Sequence, residues 1–178
     1  MTRNFGWSFL DMGRRIERAQ NLSEAILTLF VPLPDPEEVS SSLLLLLELA
    51  DSFITYRSRY RLDPMLALVL DLLLLDESNP RSLAYQLSAI ARHLEGLPDA
   101  QHASGLSEDR RLIIALLTSI RLADVEAMAR EENGAPLERL LNDQLDMLPE
   151  LSNAISRHYF NLMDEPPHRA HMQADTAT

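Results

Sequence analysis

The chain has 178 residues, 46% of them apolar, enough for one globular domain with a core of its own. A formal charge of -11 excludes the general nucleic-acid binders, whose basic surfaces displace counterions from phosphate. The absence of cysteine excludes disulfides, thiolate metal sites and a cysteine nucleophile. No apolar run approaches the roughly 18 residues of a membrane span, and no charged-then-apolar leader opens the chain, so a cytoplasmic protein away from membranes is expected. All 16 basic residues are arginine, the side chain better shaped to fork onto a carboxylate or phosphate.

Apolar residues recur at helical spacing with no strand alternation, which predicts an all-α fold, an antiparallel helical bundle of about six helices. The first helix spans about Phe5 to Phe30 and is ended by Pro32, Pro34 and Pro36. The second is predicted over Glu37 to Arg61. Asp63-Pro64 and Asn79-Pro80 each supply an N-cap followed by an N1 proline, starting a third helix to Leu75 and a fourth to the region of Leu94 and Gly96. Polar residues from Gly96 to Ser107 form a surface loop. A fifth helix follows from Glu108 to Glu132, stopped by Asn133-Gly134, and a sixth from Pro136 to about Met163, kinked or split by Pro149. Residues 1–163 are expected to form one domain, with a disordered tail from Asp164 onward.

Several polar residues fall on predicted apolar faces. At 100° per residue, Phe9, Met12, Ile16, Ala19, Leu22, Ile26 and Leu29 share one face of the first helix, with Arg15 in its middle and Asp11 a turn earlier. In the second helix the arc from Leu43 through Leu46, Leu49, Ala50, Phe53 and Ile54 continues into Arg57 and Arg61, leaving Arg59 on the polar side. The third helix is apolar all round except for Asp71. His158 lies on the face of Leu151, Ile155 and Leu162, and Gln86 borders Leu83, Leu87 and Ile90. Because an unpaired buried charge is costly, Arg15, Arg57 and Arg61 are expected to meet Asp11, Asp71 or Asp76. Such pairs hold a bundle in register. Alternatively, Arg15, Arg57, Arg61, Asp71 and His158 converge as a site for a phosphate or carboxylate.

Standard chemistry leaves few traces. The sequence contains no Walker-type loop, GxGxxG, GxSxG or HExxH, and no catalytic residue, cofactor or metal is expected. His168 and His171 form an HxxH in the tail, where coordination is not expected. The Leu43 to Leu47 run followed by Glu48 reads as core.

The segment Gly13-Arg14-Arg15-Ile16-Glu17-Arg18-Ala19 resembles the alpha-E domain family, helical proteins named for a Glu-Arg motif. Tyr56-Arg57-Ser58-Arg59-Tyr60, Asp76-Glu77-Ser78-Asn79-Pro80-Arg81-Ser82 with Gln86, and Ser156-Arg157-His158-Tyr159-Phe160 resemble the same family in the same order. The resemblance covers most of the predicted helices but only the second half of the family's usual length. It implies either a fragment lacking an N-terminal half or a short form completed by self-association as a homodimer. It further implies an accessory or interaction domain without catalysis of its own, because family members are typically encoded beside, or fused to, ATP-grasp and transglutaminase-like proteins. The implied setting is peptide or amide ligation, with one of those proteins as partner.

Overall fold

The amphipathic first stretch folds as α1, Phe5–Phe30, burying Met12, Ile16, Ala19, Leu22, Ile26 and Phe30 along one face. The computed structural model describes residues 5–31, 34–35, 37–97, 105–131 and 133–160. Among these, α1 is followed by α2 (Val39–Leu49), α3 (Phe53–Tyr60), α4 (Leu66–Leu70, continuing as a π-helical turn over Asp71–Leu75), α5 (Leu83–Glu95), α6 (Glu108–Arg121), α7 (Val125–Arg130) and α8 (Ala135–Tyr159). The expected tail, with His168 and His171, lies outside the described residues, as does most of the Gly96 to Ser107 loop.

Four of these helices make the bundle. α1 packs on α5 and α8, and α6 packs on the same two from the other side. Side-chain contacts give their directions. Asp11, early in α1, meets His93, late in α5, and Phe9 packs on Tyr159 at the end of α8 with ring centroids 5.4 Å apart. At the same end Arg157 reaches Glu108 at the start of α6. Neighbours therefore run antiparallel around the ring. Leu83, Leu87, Ile90, Leu116, Ile120, Leu141, Leu148 and Leu151 fill its interior. The second half of α4 is buried against α5, where Val69, Leu70, Leu72, Leu73 and Leu74 are wholly shielded.

The expected six helices become eight among the described residues, because two were read across breaks. The predicted helix from Glu37 to Arg61 is divided by a 114° bend. α2 ends in a Schellman arrangement: Ser52 N–H donates to the Leu47 carbonyl at 2.8 Å and Asp51 N–H to the Glu48 carbonyl at 2.9 Å. Asp51 takes the left-handed position at φ 50°, where glycine is usual and aspartate is tolerated, so no glycine marked the boundary. The bend resets the helical phase, and Ile54 becomes 83% exposed instead of continuing the buried arc of Leu43 and Leu46.

The predicted fifth helix likewise divides at Asp124, whose side chain caps α7 by accepting from Ala127 N–H. α5 starts one turn later than expected, with Ser82 rather than Asn79 as its N-cap. α4 starts at Leu66, two residues beyond Pro64. Pro149 lies inside α8 and does not divide it.

Among the described residues no single helix is long and apolar enough to cross a membrane. Ile90→Ala, in the fully buried interior, should lower stability by about 2–5 kcal/mol, whereas Leu122→Ala, 78% exposed, should stay within about 0.5 kcal/mol of the parent. Urea unfolding followed by circular dichroism measures both.

Candidate functional site

Arg15 projects from the apolar face of α1 and is answered from two helices. Its Nε donates to Asp11 Oδ2 at 2.7 Å, one turn back, and its Nη1 donates to Gln86 Oε1 on α5 at 3.2 Å. The guanidinium also lies 5.5 Å from the centre of the Tyr85 ring. His93, two turns beyond Gln86 on α5, donates from Nε2 to the same Asp11 oxygen at 2.7 Å, with Trp7 edge-on against its ring. Gln86 is buried, and its Nε2 donates to the Pro80 carbonyl at 2.6 Å. One side chain thus ties α1 to the turn entering α5.

Burial pulls the Asp11 carboxyl upward, but the hydrogen bonds and charges of His93 and Arg15 outweigh it and hold the group below its ordinary 3.8. It remains an acceptor for both.

Beside Gln86 opens a cleft of about 320 Å3, lined by Arg18 and Asn21 of α1, the end of α2 and Arg81. Leu22, Ala25, Leu46, Leu49 and Ala50 give it an apolar wall. Arg81 is paired at its edge with Asp51, the residue in the left-handed conformation. Arg18 is exposed and carries no hydrogen bond or ion pair among the described residues. The cleft therefore presents an open guanidinium, an ion pair and aliphatic surface.

Arg81 is aimed by a tightly tied turn. The π-helical turn ends with Asp76 N–H donating to the Asp71 carbonyl, and the Leu72 carbonyl accepts from Asn79 Nδ2 at 3.0 Å. Asn79 Oδ1 accepts from Arg81 N–H at 3.1 Å, and Ser82 Oγ donates to the Asp76 carbonyl at 2.5 Å. Arg59 is paired with Asp76. Tyr60 donates to Asp71 at 2.5 Å, and burial together with that carboxylate pushes the phenol up, so it stays a donor. Burial also raises the Asp76 carboxyl, but two hydrogen bonds from Ser78 and the charge of Arg59 bring it below 3.8. Tyr56 is wholly buried; its hydroxyl donates to the Asp63 carbonyl and accepts from Met65 N–H, each at 3.1 Å.

The five residues expected to converge do not form one bonded cluster. Arg15 meets Asp11 as expected. Arg57 is exposed and lies 3.7 Å from Asp63, and Arg61 is exposed at the left-handed C-cap of α3. Arg59, read as facing solvent, is the arginine that meets Asp76 and approaches Asp71. The 114° bend explains the exchange, since the helical phase carried across it pointed the wrong arginines inward. His158 instead contacts buried Asp109 of α6 through Nδ1 at 3.2 Å.

Of the motif residues, Arg14 and Glu17 are exposed, and Arg157 pairs with Glu108. Tyr159 is buried against Phe9 and His158. Asp51, Asn21 and His93 join the site without having been expected there. For His93 a signal was present: it lies seven residues after Gln86, on the same face of α5.

These features define an all-α bundle domain with an arginine-edged cleft beside a buried polar bridge. Residues 1–160 match Alpha-E, described as a predicted alpha-helical domain with a conserved ER motif, and the chain belongs to that family. It is similar to an uncharacterised protein of Mycobacterium bovis and to uncharacterised proteins from two strains of Mycobacterium tuberculosis. Each is 30% identical over 128 residues, covering 72% of this chain and 14% of the relative. The chain thus spans only a small part of the curated relatives it matches. No solved structure matches it.

The depressed Asp11 carboxyl sets a pH dependence. Its contribution to stability is fully present above the ordinary value of 3.8 and is lost as pH falls through the lower folded value. Asp11→Asn should therefore lower the urea midpoint near neutral pH and narrow its drop on acidification from about pH 5 to about pH 2. Parallel curves for parent and variant would contradict this.

Proposed function

We propose that the chain is an accessory, interaction domain of an ATP-grasp-type peptide or amide ligase system, with no catalysis of its own and an ATP-grasp or transglutaminase-like protein as its partner. The observation that carries this reading is the size relation: the matched segment occupies only 14% of each long mycobacterial relative, as a module within a larger machine would.

The use of charge supports it. Arg15, Asp11, His93 and Gln86 pair with one another between helices, and Arg59, Asp71, Asp76 and Tyr60 do the same around the π-helical turn. These groups hold geometry. Exposed Leu44, Leu45 and Leu49 on α2 and Ile54 on α3 supply apolar surface for a protein partner. A second copy or an N-terminal half of the domain would be covered in the same way.

Affinity capture of the tagged chain from a lysate of its own source, with bound proteins identified by mass spectrometry, should recover an ATP-grasp or transglutaminase-like protein. Recovery of neither, under conditions that retain a known complex of the same source, would contradict the reading. Light scattering distinguishes the second copy, because a compact monomer removes the homodimer.

A further inference from the structure

We propose that the cleft between α1, α2 and the turn entering α5 binds the C-terminal end of a peptide, with Arg18 taking the terminal carboxylate and the aliphatic wall taking the last side chain. The proposal rests on the cleft and not on the ligase association, so either can fail alone.

Size and lining select this class of ligand. About 320 Å3 is at the small end of ligand pockets and suits one or two residues, not a nucleotide or an extended chain. Leu22, Ala25, Leu46, Leu49 and Ala50 offer a surface that an aliphatic side chain can cover and a bare phosphate cannot. Leu49 is 64% exposed in the free chain, so a bound group would remove apolar area from water.

Charge fixes the orientation. The molecule carries a formal charge of -11, which disfavours anions except where a guanidinium is concentrated against a low-dielectric wall. Arg18 makes no hydrogen bond or ion pair among the described residues, so its planar fork is open to two oxygens of one carboxylate. Arg81 is already committed to Asp51 in the same lining. Asp51 there repels a second carboxylate, favouring a terminal carboxylate over a strongly acidic segment. Gln86 at the back of the cleft has both ends of its amide engaged, by Arg15 and by the Pro80 carbonyl, and is held as a fixed wall.

The test is titration of the full chain with N-acetyl-alanyl-leucine and with the same dipeptide as its C-terminal amide, followed by calorimetry and by amide chemical shifts. The acid should bind with shifts at Arg18, Ala25 and Leu49, and the amide should bind at least about tenfold more weakly. Arg18→Gln should erase the preference for the acid. Ala25→Leu, which fills the cleft from a partly buried position, should abolish binding of both while the helical spectrum is retained. Arg139→Gln, exposed on α8 and outside the cleft lining, should change neither. Equal binding of acid and amide, displacement of the dipeptide by inorganic phosphate at matched concentration, or undiminished binding to Ala25→Leu would each overturn the proposal, as would no binding by the folded parent.

Discussion

The arrangement around the cleft depends on one bridge, from Arg15 on α1 to Gln86 on α5. A guanidinium placed on an apolar helix face has to be answered or expelled, because leaving it dry and unpaired costs several kcal/mol or more. Here Asp11 supplies the charge, Gln86 a neutral acceptor and Tyr85 a ring face. Since the Gln86 amide also holds the Pro80 carbonyl, the register of α1 against α5 and the path of the turn carrying Arg81 are set together. Arg18, less than one turn beyond Arg15, is placed at the cleft by the same constraint.

A second device works from the other side. The π-helical turn at Asp71–Leu75 shifts the hydrogen-bonding register of α4, and Asn79 fills the resulting opening by donating to Leu72. Arg59, Tyr60, Asp71, Asp76 and Ser82 then lock the strap between α4 and α5. Seen this way, the motif residues from Tyr56 to Gln86 describe a geometry, and the arginines that do not take part in it stand at its surface. Placing the bend of α2 beside this strap brings Asp51 to Arg81.

Much of this was legible in the sequence because helical periodicity and proline punctuation are local signals. The extent of α1, the burial of the Leu66 to Leu75 stretch and Asp11 as one of three expected carboxylate partners for Arg15 follow from spacing alone. The missed features were non-local or lacked their usual residue. Asp51 adopted a left-handed cap that glycine would have advertised, so the phase of α2 was carried into α3 and Arg57 and Arg61, both exposed, were read as pointing inward. α6 ended at Arg121 and Asp124 capped α7 inside an uninterrupted apolar pattern. The cleft is formed by three segments far apart in sequence, and only tertiary packing could assemble it.

The most direct measurement is a double-mutant cycle between Arg15→Met and Gln86→Leu, read as urea unfolding free energies of the parent, both single variants and the pair. A bridge that sets the α1–α5 register predicts that the two losses are not additive, with a coupling of about 0.5 kcal/mol or more in favour of the native pair. Additivity to within about 0.3 kcal/mol would mean that the two side chains act independently, and the cleft would then owe its shape to apolar packing alone.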